Sequence, residues 1–474
     1  MTKLEVFFMP HPPIIIPEIG MENGKEAENT IRAMEELGER VGELKPETII
    51  FITPHGNSFH NGTCILDVPN LSGDFSAFGF PDIGFQKRVN QELSRELFHA
   101  FEREGYNTIH LDEKLSKRYR VSLELDNGVM VPMYFIDRHH RDYDMVHITP
   151  GGTPLKENFL LGKVIQKMIL SKEQRVLMVC SGDLSHALKE QGPYRYHPSG
   201  PLFDQKVHQA IEQKDALSLI TMNEDFVEEA AQCGLRSFLF GFGFMDGYDY
   251  DPHILSYEGP FGVGYLTGWI RGRDGEMPSL ESQMNSSEKE TLQKKLSQED
   301  DYIKLARKSI EEYVKNKRRF PIEKRTFEFS KDFLEHGREQ RAGVFVSIHK
   351  HGELRGCIGT IEPVQDDLLE EIIQNSISSC SYDPRFLPVE PDELEELDIK
   401  VDVLKEPEPI QSLGELDVKR YGVIVEKGTK RGLLLPNLEG INSVNQQVDI
   451  AMSKAGIRNP NGMKLYRFEV IRHE

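Results

Sequence analysis

Three histidines follow segments whose composition predicts buried β-strands. Residues 4–9, 48–53 and 176–180 are apolar runs rich in β-branched or aromatic side chains, and they lead to His11, His55 and His186. In an open α/β sheet, ligands bind in the crevice outside the carboxyl ends of the strands. Three imidazoles presented at that edge are predicted to converge on one metal ion or one substrate.

The turn that carries His186 also carries Asp183, within the sequence SGDLSH. An aspartate in such a position is either a turn residue or a partner that orients the histidine. Each histidine taken singly is equally well explained as a lone loop residue, because the chain has sixteen of them. The repetition of the pattern at three strand ends favours a shared site.

Composition limits the class of protein. The chain has 474 residues, 38% of them hydrophobic, which predicts two to three domains. Five cysteines at scattered positions form neither a disulfide framework nor a CxxC pair, which is typical of a reduced, intracellular protein. No signal sequence or membrane span is evident, so the sequence predicts a soluble, cytoplasmic protein. The net charge of −20 makes nucleic acid an unfavourable partner.

Strand and helix patterns alternate over the first part of the chain. Helical spacing of apolar residues appears over 26–44, 85–105, 155–170 and 203–212, and residues 226–243 are almost continuously apolar beyond Cys233. Residues 129–136 and 145–149 are further strand candidates. This alternation predicts an α/β domain with a mixed central sheet covered by helices.

The composition changes after residue 272. Residues 273–299 are polar and charged, which predicts a linker or a solvated helix between a domain at 1–272 and another at 300–474. In the second domain, residues 343–359 have the pattern of a hairpin, and later alternating segments are typical of half-buried strands. The prediction there is an α+β domain with a mainly antiparallel sheet.

The motifs carry a resemblance to two families. MPHPP at His11, TPHG at His55, SGDLSH at His186 and the glycine-rich segment from Tyr257 resemble the Memo family, which is similar in fold to the B subunit of class III extradiol dioxygenases. LRGCIGT, DPRF and RGLLLP, in that order after residue 300, resemble the AMMECR domain. This combination resembles a component of the system in which AMMECR, Memo-like and radical SAM proteins occur together, which implies a radical SAM partner.

The resemblance implies a metal centre. His11 and His55 match the two histidine ligands of the dioxygenases, and Cys233 matches the Memo cysteine that occupies the place of the dioxygenase glutamate. Glu258 is the reserve candidate for the third ligand, and Cys233 has the alternative of an inert buried thiol. Two imidazoles and a thiolate suit Fe(II), the first expectation, and also copper or zinc.

His186 is then expected to act as general acid or base, with Asp183 orienting it or contacting a metal ligand. One position departs from the related dioxygenases: Asn127 stands where many of them carry a histidine. An amide cannot shuttle a proton at neutral pH. The sequence therefore predicts a reaction other than ordinary catechol cleavage.

The polar members of the AMMECR motifs predict a cleft in the second domain. They are Arg355, Cys357, Asp383 and Arg385, and the arginines are suited to a carboxylate or phosphate. Cys357 is either a nucleophile or a structural thiol. The chain is thus predicted to be a metal-dependent, dioxygenase-like oxidoreductase that acts on an unknown small molecule or peptide. The alternative is a non-catalytic, metal-binding adaptor that works with a radical SAM protein.

Overall fold

The computed structural model describes residues 4–172, 174–350, 352–438, 441 and 443–474. The chain divides into two compact units, Met1–Gln283 and Met284–Glu474. Across the described ranges, no helix has the combination of length and apolar character that crossing a membrane requires.

A mixed sheet forms the centre of the N-terminal unit. The strands of the unit are β1 (Glu5–Met9), β2 (Thr48–Ile52), β3 (Thr63–Leu66), β4 (Asn70–Phe75), β5 (Phe80–Arg88), β6 (Thr108–Leu111), β7 (Asp144–Thr149), β8 (Val176–Ser181), β9 (Tyr248–Glu258) and β10 (Tyr265–Glu276). Eight of them join in the order β6-β3-β7-β2-β8-β1-β10-β9, while β4 and β5 pair separately. Strands β7, β2, β8 and β1 are mutually parallel, and β1 pairs with β10 in the antiparallel sense. The prediction of a mixed sheet is confirmed.

The parallel order explains why the histidines meet. Every residue of β1, β2 and β8 is buried, as continuous apolar runs rather than alternating ones predict. Because these strands are parallel neighbours, their carboxyl ends lie side by side at one edge of the sheet. The segments that carry His11, His55 and His186 leave the sheet at this edge.

Ten helices of the N-terminal unit accompany the sheet. They are α1 (Pro17–Gly24), α2 (Glu28–Leu44), α3 (Gln91–Arg103), α4 (Glu113–Tyr119), α5 (Asn127–Ile136), α6 (Leu155–Leu170), α7 (Ser199–Gln213), α8 (Ala216–Ile220), α9 (Glu224–Glu229) and α10 (Leu235–Phe244). Helix α2 buries Ala33, Leu37 and Val41, which recur at helical spacing. Cys233 lies two residues before the N-terminal end of helix α10.

Helices α6 and α10 pack unusually closely through glycine. A Cβ atom added to Gly162 on α6 would lie 2.1 Å from the carbonyl oxygen of Phe240 on α10. A Cβ atom added to Gly243 on α10 would lie 1.8 Å from the carbonyl oxygen of Phe159 on α6. The two backbones are therefore in direct contact at both crossing points.

Two secondary-structure predictions are wrong. Residues 129–136 were expected to be a strand but belong to α5, in which Val129, Val131 and Phe135 are all buried. A short apolar run buried on every side has the same composition in a helix as in a strand, so its pattern could not separate them. The helix predicted over 85–105 begins later, because residues 85–88 end β5 and Asn90 caps α3.

The charged segment predicted to be a linker or a solvated helix contains the end of a strand and a helix. Strand β10 continues to Glu276, and helix α11 (Leu280–Gln298) follows it. The change from one compact unit to the other falls within this helix, after Gln283.

The C-terminal unit is α+β with antiparallel sheets, as predicted. Its helices are α12 (Asp301–Asn316), α13 (Lys331–Glu339), α14 (Leu368–Ser381) and α15 (Val444–Ala455). Its strands are β11 (Val344–Lys350), β12 (Glu353–Gly359), β13 (Leu397–Leu404), β14 (Glu408–Ile410), β15 (Gly422–Lys427), β16 (Lys430–Leu434), β17 (Lys464–Phe468) and β18 (Val470–His473). They form two four-stranded sheets, β12-β11-β13-β18 and β14-β17-β15-β16, in which all the pairings are antiparallel.

Candidate metal centre

Three potential metal ligands converge beyond the carboxyl ends of β1 and β2. Ligand atoms of His11, His55 and Cys233 all lie within 4.8 Å of one another. The two imidazole rings are 4.6 Å apart between centroids and nearly perpendicular. The Sγ atom of Cys233 is 3.6 Å from Nε2 of His11. His11 is buried, Cys233 is half-buried and His55 is exposed, so the group is open to ligands on one side.

His11 is held in the orientation that a metal ligand needs. Its Nδ1 atom is 2.8 Å from Oγ of Ser181, the last residue of β8, and its backbone N–H donates to Oδ1 of Asp183 at 2.9 Å. With Nδ1–H donating to Ser181, the lone pair of Nε2 faces Cys233. Burial lowers the pKa of His11 to about 4, so the ring is neutral at neutral pH.

His55 shares the neutral state that cation binding requires, whereas Cys233 is a protonated thiol as long as no metal is bound. Although His55 is exposed on one side, desolvation of its ring and the neighbouring His11 lower its pKa. Burial, and then the nearby Asp183, raise the pKa of Cys233 well above its ordinary value. Two neutral imidazoles and a thiol fit a transition metal, which would displace the thiol proton on binding.

A second group shares Cys233 with the first. Ligand atoms of Asp183, His186 and Cys233 lie within 4.8 Å of one another. Nε2 of His186 is buried and has no hydrogen-bond partner among the described residues. Desolvation lowers the pKa of His186, and burial raises that of Asp183 to about 6. The structure thus places both predicted catalytic residues beside the candidate metal ligands, with the hydrogen bond of Asp183 directed to the backbone of His11.

Glu258, the reserve ligand, is engaged elsewhere. Its Oε1 accepts hydrogen bonds of 2.7 Å from both the backbone N–H and the hydroxyl of Thr30, and its Oε2 accepts one of 3.0 Å from Asn29. These donors belong to the first turn of α2, where a carboxylate stabilises the exposed N–H groups. The structure therefore gives Glu258 a helix-capping position and leaves it outside both ligand groups.

A buried carboxyl group supports the loop that carries His186. Asp204 on α7 accepts hydrogen bonds of 2.8 Å from the backbone N–H of Ser185 and from the hydroxyl of Tyr257. Asp204 is 1% exposed, and burial raises its pKa from 3.8 to about 7. The folded protein therefore binds a proton at this position more tightly than the unfolded chain does.

This proton predicts a pH dependence of stability. A carboxyl group whose pKa is raised in the folded state makes its full contribution to the stability of the folded protein below pH 4. That contribution is lost as the pH rises to about 7. Asp204→Asn mimics the protonated acid. We expect its free energy of unfolding to rise by roughly 2 kcal/mol relative to that of wild type as the pH increases from 5 to 8. Urea unfolding of both proteins across this range measures the difference. Asp82→Asn, on the exposed face of β5, is the control, and parallel curves for Asp204→Asn and wild type would contradict the expectation.

The predicted cleft of the C-terminal unit is partly assembled. The backbone N–H of Cys357 donates to Oδ2 of Asp383 at 2.8 Å, and Arg385 pairs with the same carboxylate at 2.7 Å while donating to the carbonyl of Cys357 at 3.1 Å. The hydrogen bond from Arg385 lowers the pKa of Asp383 to about 2. Arg355 is turned to Glu393, at 2.9 Å, and is not part of this cluster. The polar groups of the cluster are thus largely satisfied by one another.

Sequence reasoning missed several polar residues under the metal group. These residues are buried or nearly so: Ser181, Thr53, Asp126 and His147. Ser181 contacts His11, while Asp126 contacts both Thr53 and His147. One signal was available for His147, because a histidine inside an apolar strand must be paired if it is buried. Its partner could not be read from spacing.

Comparison with known proteins identifies relatives over both units. The model of the family described as the catalytic LigB subunit of aromatic ring-opening dioxygenase matches residues 5–268, and the AMMECR1 model matches residues 303–473. A protein of Clostridium acetobutylicum is 37% identical over 469 residues, which are 99% of this chain and 98% of that protein. A protein of Thermotoga maritima is 44% identical over 178 residues, which are 37% of this chain and 98% of that protein. The crystal structure of an uncharacterised protein from Pyrococcus horikoshii is 32% identical and covers 36% of this chain and 88% of its own, with a TM-score of 0.32.

Proposed function

The chain belongs to the family of the catalytic LigB subunit of aromatic ring-opening dioxygenase and continues into an AMMECR1 region, and on that basis we propose that it is a metal-dependent, dioxygenase-like oxidoreductase. The metal is ferrous iron, and its ligands are His11, His55 and Cys233. Such an ion supplies redox chemistry and open coordination positions for substrate and dioxygen.

One observation carries this proposal. The three side chains come from segments more than 40 residues apart in sequence, yet their ligand atoms lie within 4.8 Å at the open edge of the sheet. Because burial lowers the pKa of His11, its imidazole is in the neutral form that can bind a metal ion. A purely structural cluster does not require two unprotonated imidazoles to face a thiol.

His186 is the proton-transferring residue in this proposal. Its Nε2 atom is without a protein partner among the described residues, and its lowered pKa keeps it able to accept a proton near neutral pH. Asp183 orients His11 through the backbone and contributes negative charge beside the site.

The AMMECR1 region has the role of binding substrate or a partner, and the radical SAM protein implied by the sequence stays a prediction.

Oxygen consumption by the iron-loaded protein tests the proposal. Protein purified without oxygen and loaded with Fe(II) is to be screened for oxygen uptake with aromatic diols and aminophenols, with plain catechol included because Asn127 argues against it. We expect near-stoichiometric iron and, with the right substrate, uptake that His186→Ala lowers about 100-fold or more without loss of iron. His99→Ala, on the exposed face of α3, is the matched control.

Two results would reject the proposal. Wild-type protein that cannot be loaded with iron has no metal-dependent activity of the proposed kind. Full oxygen uptake by His186→Ala would remove that residue from the reaction. If iron does not bind, the cleft is better described as a recognition pocket of an adaptor, whose partner binding should be indifferent to chelators.

A further inference from the structure

A chain of buried hydrogen bonds runs beneath His55. Nε2 of His147, on β7, is 2.9 Å from Oδ2 of Asp126, which precedes α5. The other oxygen, Oδ1, accepts a hydrogen bond of 2.6 Å from the hydroxyl of Thr53, directly after β2. The hydroxyl oxygen of Thr53 in turn accepts the backbone N–H of His55 at 3.3 Å. A histidine, a carboxylate and a threonine thus connect the interior of the sheet to the backbone of a proposed ligand.

Two glycines keep this chain in direct contact with the loop. A Cβ atom on Gly56 would lie 2.6 Å from Cε1 of His147, so the backbone next to His55 rests on the imidazole. A Cβ atom on Gly128 would lie 2.2 Å from the hydroxyl oxygen of Thr53. No side chain can be inserted at either point without moving the network.

The network is charged and enclosed. His147 is 1% exposed. Burial by itself would raise the pKa of Asp126, but the hydrogen bonds from His147 and Thr53 outweigh it and lower that pKa below its ordinary value. Asp126 is therefore a carboxylate at neutral pH, and it lies close enough to His11 and His55 to favour positive charge on both rings. Such a fixed anion beneath two neutral imidazoles also favours a bound cation.

We propose that Asp126 and His147 are positioning residues for the metal centre, which hold His55 in its ligating position through Thr53. The inference rests on the proposed function, because it assigns these residues to the same metal ion. It also adds a role that the ligand set does not contain: the carboxylate supports one ligand by hydrogen bonding and both by charge. Partners of this kind orient ligands, and their loss typically weakens metal binding about 10- to 100-fold.

Cobalt titration of the apo-protein tests the inference without requiring a substrate. Co²⁺ bound to a thiolate absorbs light, so both the Kd and the spectrum can be measured. Thr53→Val keeps the shape of the side chain but removes the hydroxyl that links Asp126 to His55. We expect it to raise the Kd for Co²⁺ about 10- to 100-fold and to shift the spectrum, whereas Thr53→Ser should remain close to wild type.

Thr149→Val is the matched control. Thr149 is fully buried on β7, and its hydroxyl has no hydrogen-bond partner in the described part of the chain. The same chemical change there should leave cobalt binding unchanged.

His147→Leu and His147→Gln form a second pair of variants. The amide of glutamine can still donate a hydrogen bond to Asp126, so His147→Gln should retain most of the cobalt affinity that His147→Leu loses.

The outcomes separate this inference from the proposed function. If wild type binds no Co²⁺, the metal centre itself is wrong. If wild type binds Co²⁺ and both Thr53→Val and His147→Leu bind it with the same Kd and spectrum, the network is structural only and the inference is overturned. A lower melting temperature without a change in Kd has the same meaning.

Discussion

Cys233→Ala is expected to bind Fe(II) at least about 100-fold more weakly than wild type, because it removes the only anionic donor of the proposed set. The Sγ atom of Cys233 lies 3.6 Å from Nε2 of His11. Without this sulfur, two neutral imidazoles would leave the cation with weak, incomplete coordination. The apo-protein should remain folded, since Cys233 is half-buried and its removal leaves no unpaired charge. Metal content after anaerobic purification and an Fe(II) titration measure the effect.

Glu258→Gln is the control for this experiment. Glutamine retains an oxygen that can accept the two hydrogen bonds from Thr30, so the start of α2 should remain formed. We expect wild-type iron content in this variant. Loss of iron in Glu258→Gln with retention in Cys233→Ala would transfer the third ligand to the glutamate and refute the assignment.

Gly162→Ala is expected to destabilise the N-terminal unit by about 2 kcal/mol or more, even though alanine favours helices. The added methyl carbon would lie 2.1 Å from the carbonyl oxygen of Phe240, and both atoms belong to rigid helices. The helices must separate, and α10 begins two residues after Cys233. Urea unfolding monitored by circular dichroism measures the loss of stability, and weaker iron binding should accompany it.

Gly275→Ala provides the comparison. It lies near the exposed end of β10, where an added Cβ atom would be 3.6 Å from its nearest neighbour, Cβ of Asp249. This is ordinary van der Waals contact, so the unfolding free energy should change by less than about 0.5 kcal/mol. Equal stability of the two alanine variants would show that the helix contact tolerates a methyl group and would contradict the expectation.

The strand ends were predictable because their signal is local. An apolar run that stops at a turn identifies β1, β2 and β8, and the sheet rule then brings His11, His55 and His186 to one edge. Composition also separated the α/β unit from the antiparallel one. These inferences need only short segments and the physical preferences of their residues.

The features that the sequence did not reveal depend on distant partners. Asp126 and Thr53 are 73 positions apart, and nothing near either residue identifies the other. Gly162 lies within a segment that the sequence predicts to be helical, but only the structure shows that α10 packs directly against this residue. Helix α5 was mistaken for a strand because tertiary burial on all sides removed the polar face that would have shown its period.

The position of β1 has a consequence for how the protein is made. Both of its neighbours come much later in the chain, since β8 is Val176–Ser181 and β10 is Tyr265–Glu276. During synthesis the apolar strand EVFFM, which leads to His11, has no neighbour in the sheet until β8 has been made, and its other edge stays unpaired until more than 250 further residues have left the ribosome. Contacts between such distant segments form slowly, and an unpaired apolar strand is prone to aggregation in the interval. For the iron centre proposed above, metal uptake then requires a chain that has completed this unit, and it would report the correct folding of the unit.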